Sequence, residues 1–134
     1  MNNEKITRKN PKSMPAPVGN YTHITKIPRT AELYVTSGQI GTDRNGRIPD
    51  HMNVQILNTF SNIQAVLAAE GLTADDIIKV NIWAVEPIDW NHLYATWGSL
   101  LGQEYPAMTV GYLTALGLPE LKIEIEIEIW AAKV

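Results

Sequence analysis

The residues of this chain best suited to chemistry lie in its last strand-like run, KIEIEIEIW, where Glu124, Glu126 and Glu128 alternate with isoleucines. At ~3.3 Å rise per residue, alternate side chains share a face and stand roughly 7 Å apart. Three carboxylates in such a row repel unless cations, water or hydrogen-bond donors separate them. Glu124 has two readings. It is a solvated charge on an open face, as most glutamates are, or it is a carboxylate in a half-buried cleft, where desolvation raises its proton affinity and lets it order or deprotonate a water.

Other reactive types give little. His23, His51 and His92 have no ligand-like spacing to one another or to a carboxylate, so no metal site is expected. Ser37, in SGQIG, has no acid and histidine pattern around it, and a strand-end bulge explains the two glycines as well as a ligand loop does. No phosphate-cradling glycine motif occurs. With no cysteine, disulfides and thiol nucleophiles are excluded.

The elements that must position these residues follow from periodicity. Thr22–Ile27 and Glu32–Thr36 read as two short strands, most simply an antiparallel pair around PRT. Asp50 is the expected N-cap of a helix running to Glu70, with Met52, Ile56, Phe60, Ile63 and Leu67 on one stripe and Gly71 as the stop. Ile77–Val85 reads as a strand. Asp89 is expected to cap a second helix, whose Trp90, Leu93, Tyr94, Trp97 and Leu101 form its apolar face. The stretch YPAMTVGYL reads as a buried strand, and in the last strand Ile123, Ile125, Ile127 and Ile129 form a dry face.

Strands with two helices amphipathic on one side only predict an α+β two-layer sandwich, a mixed sheet with both helices on one face. The other face, with Glu124, Glu126, Glu128 and Trp130, would stand uncovered in a monomer, so an oligomer is expected. The 134 residues, 45% hydrophobic, fit one domain over residues 19–134 behind a polar tail of residues 1–18. A formal charge of −3 without a basic cluster makes nucleic acid a poor partner. No apolar stretch suits a signal peptide or membrane span, and a soluble, cytoplasmic protein is expected.

Taken together, PAPVGNY, VTSGQIGTDRNGRIP, AAEGLTADDIIKVNIW, YPAMTV and KIEIEIEIWA resemble the RidA/YjgF family of reactive-intermediate deaminases, over nearly the whole chain. The resemblance implies a chorismate-mutase-like homotrimer with small-molecule clefts at the subunit interfaces. It also implies hydrolysis of 2-imino or enamine acids to 2-keto acids and ammonia, without a cofactor. Carried over residue by residue, Tyr21, Ser37, Gly38 and the residue at 108 would contact substrate, and Glu124 would place the attacking water.

Two positions depart from the family pattern. Where deaminating members have PAR, this chain has PAM, so Met108 replaces the arginine that forks onto the substrate carboxylate. A thioether cannot replace two charge-assisted hydrogen bonds of ~1.5–3 kcal/mol each. Tyr94 stands where the second helix often has asparagine. The expectation is an imine or enamine deaminase of altered specificity. Its alternative is a non-catalytic ligand-binding or regulatory trimer on the same scaffold. Endoribonuclease activity, attached to some relatives, is opposed by the acidic charge.

Overall fold

The computed structural model describes residues 4–134. In chain order its elements are β1 (Thr7–Lys9), β2 (Ile24–Lys26), β3 (Glu32–Val35), α1 (Met52–Ala69), a 3-10 turn (Ala74–Asp76), β4 (Ile77–Ala84), α2 (Trp90–Leu100), β5 (Ala107–Tyr112) and β6 (Ile125–Lys133). A four-stranded mixed sheet runs β3-β6-β4-β5, with β4 and β5 parallel and the other pairs antiparallel. The two helices pack on one side of it, giving the α+β sandwich that the one-sided amphipathicity requires.

The core lies between these layers. Ile56, Phe60, Ile63 and Leu67 of α1 and Leu93 and Trp97 of α2 meet Val80 and Ile82 of β4 and Ile125, Ile127 and Ile129 of β6. The last three are 0–1% exposed, each worth about 1.5–3 kcal/mol of burial. Phe60 and Trp97 lock the helices together edge to face, with ring centroids 5.7 Å apart.

The helix ends follow cap chemistry, with one correction. Asp89 accepts a hydrogen bond from the His92 amide at 3.1 Å, as expected of an N-cap. On α1 the cap is His51, not Asp50: His51 Nδ1 accepts from the Asn53 amide at 3.1 Å, while the Asp50 carboxylate is 3.6 Å from Lys122 Nζ. Gly71 at φ +71° supplies the left-handed stop after α1.

Three strand expectations are also corrected. β2 and β3 do not pair with each other: β2 pairs with β1 and β3 pairs with β6. β1 falls within the segment expected as a polar tail. It is held by Arg8, whose guanidinium donates to the carbonyls of Ala74 at 2.8 Å and Ile77 at 3.0 Å. β5 is half-buried rather than buried, because it is an edge strand with only β4 beside it. β6 begins at Ile125, since the Glu124 amide is taken by a side chain, as described next.

Candidate functional site

Glu124 sits at the mouth of β6, on the side of the strand opposite the isoleucines. Its position is set by Gln55, a fully buried polar residue of α1. Gln55 Oε1 accepts from the Glu124 amide at 2.9 Å, and Gln55 Nε2 donates to the carbonyls of Lys122 and Pro49, both at 2.7 Å. The Glu124 carbonyl accepts from the Val85 amide at 3.0 Å. One buried amide thus joins the start of α1 to the start of β6. The Glu124 carboxyl is pushed above the ordinary glutamate value, first by burial and then by the negative charge of Glu86; His51 opposes the shift and Asp50 adds to it. It lines a cleft of about 560 Å³ walled by the β5–β6 connection, with Leu118 and Leu121 on that wall.

Ser37 and Gly38 form a bulge. The Thr36 amide donates to the Ile129 carbonyl at 3.0 Å and the Gln39 amide to the Ile127 carbonyl at 2.8 Å, so two residues, 37 and 38, stand opposite the single Glu128. Gly38 lies against the Glu126 side chain so closely that a Cβ there would fall 1.7 Å from Glu126 Oε1. A side chain at position 38 would therefore have to push Glu126 aside. The carboxylate row is separated by donors and bulk: Asn81 Nδ2 donates to Glu128 Oε1 at 2.5 Å, and Glu126 lies opposite Trp83.

Tyr21 and Met108 belong to a different corner. The Thr22 amide donates to the Pro106 carbonyl at 3.2 Å, which brings Tyr21 to the start of β5. Met108 stands opposite Val80 and packs, partly buried, on the core. Around this end Tyr94 meets Trp90 and Tyr105 at centroid distances of 5.6 and 5.7 Å, and its hydroxyl accepts from the Asn20 amide at 3.3 Å. Tyr21, Tyr105 and Arg8 line a second cavity of about 420 Å³, but Arg8 is the cation already committed to the Ala74 and Ile77 carbonyls.

Within one chain the candidate residues therefore fall into two separate groups. Met108 is level with Val80, whereas Glu124 is level with Val85, five residues or about 16 Å further along the sheet at ~3.3 Å per residue. Ser37 and Gly38 fall with the Glu126 row, and Tyr21 falls with Met108. Sequence reasoning missed Gln55 and Arg8, whose partners lie 66 to 69 residues away or across the turn.

The three histidines each contact a backbone group. His51 caps α1, His92 Nε2 lies 3.1 Å from the Asn53 carbonyl, and His23 Nε2 lies 2.8 Å from that of Pro15. Among the described residues no group of three or more His, Cys, Asp or Glu is placed to hold a metal ion. No helix among them is long and apolar enough to cross a membrane.

This fold and bulged, glutamate-lined sheet define a class. Residues 11–132 match the family model described as Endoribonuclease L-PSP. A RutC family protein of Aquifex aeolicus is 32% identical over 129 residues, covering 93% of this chain and 97% of that protein. The 2-iminobutanoate/2-iminopropanoate deaminase of Salmonella typhimurium is 27% identical over 116 residues, 84% of this chain and 88% of that one. Among solved structures, a Rid-family protein of Yersinia pestis superposes with a TM-score of 0.81 at 22% identity, covering 96% of this chain and 98% of its own. RidA of an Antarctic Psychrobacter gives 0.67 at 27%, covering 89% and 93%. The chain belongs to the RidA/YjgF family.

Proposed function

We propose that this protein is a homotrimeric imine or enamine deaminase in which Glu124 handles the proton of the attacking water. The observation that carries this reading is the Gln55 clamp, which fixes the Glu124 backbone at a cleft while the carboxyl keeps a raised proton affinity. In the reaction, Glu124 takes a proton from water as its oxygen bonds to the carbon of the protonated imine, and a carbinolamine forms. Glu124 gives that proton to nitrogen and takes the hydroxyl proton as the C–N bond breaks, so a carbonyl compound and ammonia leave. A carboxyl whose pKa lies nearer neutrality suits both steps. The similarity to 2-iminobutanoate deaminases supports the reaction class.

Assembly follows from reading the two groups as half-sites. A neighbouring copy brings the Glu124 corner of one chain toward the Tyr21 and Met108 corner of another, and covers the sheet face where Leu33, Val35 and Trp130 are 59%, 56% and 39% exposed. Ser37, the Gly38 amide and Tyr21 hold polar parts of the ligand, and Met108 makes an apolar wall. The alternative, a ligand-binding trimer without catalysis, is favoured by one observation, the missing cation at Met108.

The test is hydrolysis of 2-iminobutanoate generated in place by an enzyme, read as ammonia release or as loss of semicarbazide trapping, alongside imines lacking a carboxylate. The wild type is expected to act on the uncharged imines and weakly on the acid, and Met108→Arg to gain at least tenfold on the acid, about the weaker of two charge-assisted bonds. A wild type inert on every imine overturns the enzymatic reading in favour of the binding module.

A further inference from the structure

The Glu124 cleft has a wall whose composition the proposed reaction does not explain. Leu118 to Leu121 form a tight turn in which the Leu121 amide donates to the Leu118 carbonyl at 2.9 Å, with Pro119 at the position where its fixed φ favours a turn. The turn sets two leucines at its ends, and they remain 51% and 41% exposed while lining the same cleft as Glu124. The charged lining is acidic in balance: Asp50, Glu120 and Glu124 against Lys122, whose ammonium is 3.6 Å from Asp50. An anionic ligand meets net repulsion there, whereas a neutral or protonated imine does not.

We propose that this cleft selects apolar ligands without a carboxylate, with Leu118 and Leu121 as the specificity-determining residues. Resting on the deaminase reading above, the substrates are then imines derived from amines rather than from amino acids. The reaction class that supplies them is two-electron oxidation of a primary amine, which leaves an N-unsubstituted imine on an apolar chain. Hydrolysis adds water across C=N and releases the aldehyde and ammonia, and no other reactant is consumed.

Two paired measurements test this. In the first, binding of isovaleramide and of isovalerate, equal in chain and differing in charge, is followed by NMR titration. The amide is expected to bind at least tenfold tighter, and Leu118→Ser or Leu121→Ser to weaken it by about fourfold per lost methylene-equivalent contact. Equal or tighter binding of isovalerate, or indifference to both substitutions, overturns the proposal. In the second, a flavin amine oxidase makes imines from isoamylamine and ethylamine, and an amino-acid oxidase makes the imino acid of leucine. The ratio of kcat/KM for the isoamyl over the ethyl imine should be tenfold or more and should collapse in both serine variants. A leucine-derived imino acid that outperforms the isoamyl imine overturns the selectivity and leaves the hydrolase reading standing. Selective amide binding without hydrolysis of any imine does the reverse.

Discussion

Gln55 Oε1 accepts the Glu124 amide at 2.9 Å across 69 residues of sequence, and the same side chain donates to the carbonyls of Lys122 and Pro49. A fully buried amide that satisfies three backbone groups is a framework for the carboxylate beside it. Replacing Gln55 by the similarly shaped methionine leaves those groups unpaired at about 1–3 kcal/mol each. Urea denaturation at fixed protein concentration should show a loss of about 3 kcal/mol or more. A loss below 0.5 kcal/mol would mean that water restores the bonds and that the clamp is not structural.

Gly38 and Glu126 should behave as a coupled pair. In Gly38→Ala the new methyl must displace the Glu126 carboxylate, because its Oε1, Cδ and Cγ all lie within 2.6 Å of the added atom. The single variant should be destabilised by about 1–3 kcal/mol, as overpacking generally is. Glu126→Ser should relieve most of that. A double-mutant cycle read by thermal unfolding checks the coupling, and strict additivity would contradict the contact.

The open sheet face should be an interface. Val35 stands beside Trp130 in the β3–β6 register, both exposed, with Leu33 on the same face. Light scattering should give a particle of three times the 14.9 kDa chain mass, and Val35→Glu should shift it toward the single chain at micromolar concentration. A monomeric wild type would leave the two half-sites apart and remove the proposed assembly.

How much of this was legible in the sequence depended on the range of the interaction. The stripe Ile56, Phe60, Ile63, Leu67 and the alternation of the last strand are local periodicities, so both layers and the dry face were readable. Asp50 looked like the cap because aspartate is a good one, but Lys122, 72 positions on, lies beside its carboxylate and His51 takes the role. β1 was unreadable for the same reason: its anchor is Arg8 reaching the carbonyls of the 3-10 turn and β4. Tyr21, Gly38 and Met108 are candidates by resemblance alone, whereas the alternation of the last strand already singles out Glu124, and Ser37 gains a ligand role only from the resemblance. Their separation into two corners depends on strand order, which places Met108 at one end of an edge strand and Glu124 at the opposite end of the sheet. Gln55 carried a weak signal, a polar residue adjacent to Ile56 and one turn before Thr59, at the edge of the apolar stripe.

The pH dependence of kcat/KM for an amine-derived imine, in wild type and Glu124→Gln, shows whether this carboxylate handles the water's proton. Water activation requires the ionised carboxylate, and burial together with Glu86 raises the pH at which Glu124 ionises. The rate should therefore rise with pH along a limb lying above the ordinary glutamate range. In Glu124→Gln that limb should vanish and the rate should fall by about 10²–10⁴-fold, the span of general acid–base assistance. A glutamine variant that keeps both the wild-type rate and the wild-type acid limb would rule out Glu124 as the group that activates water.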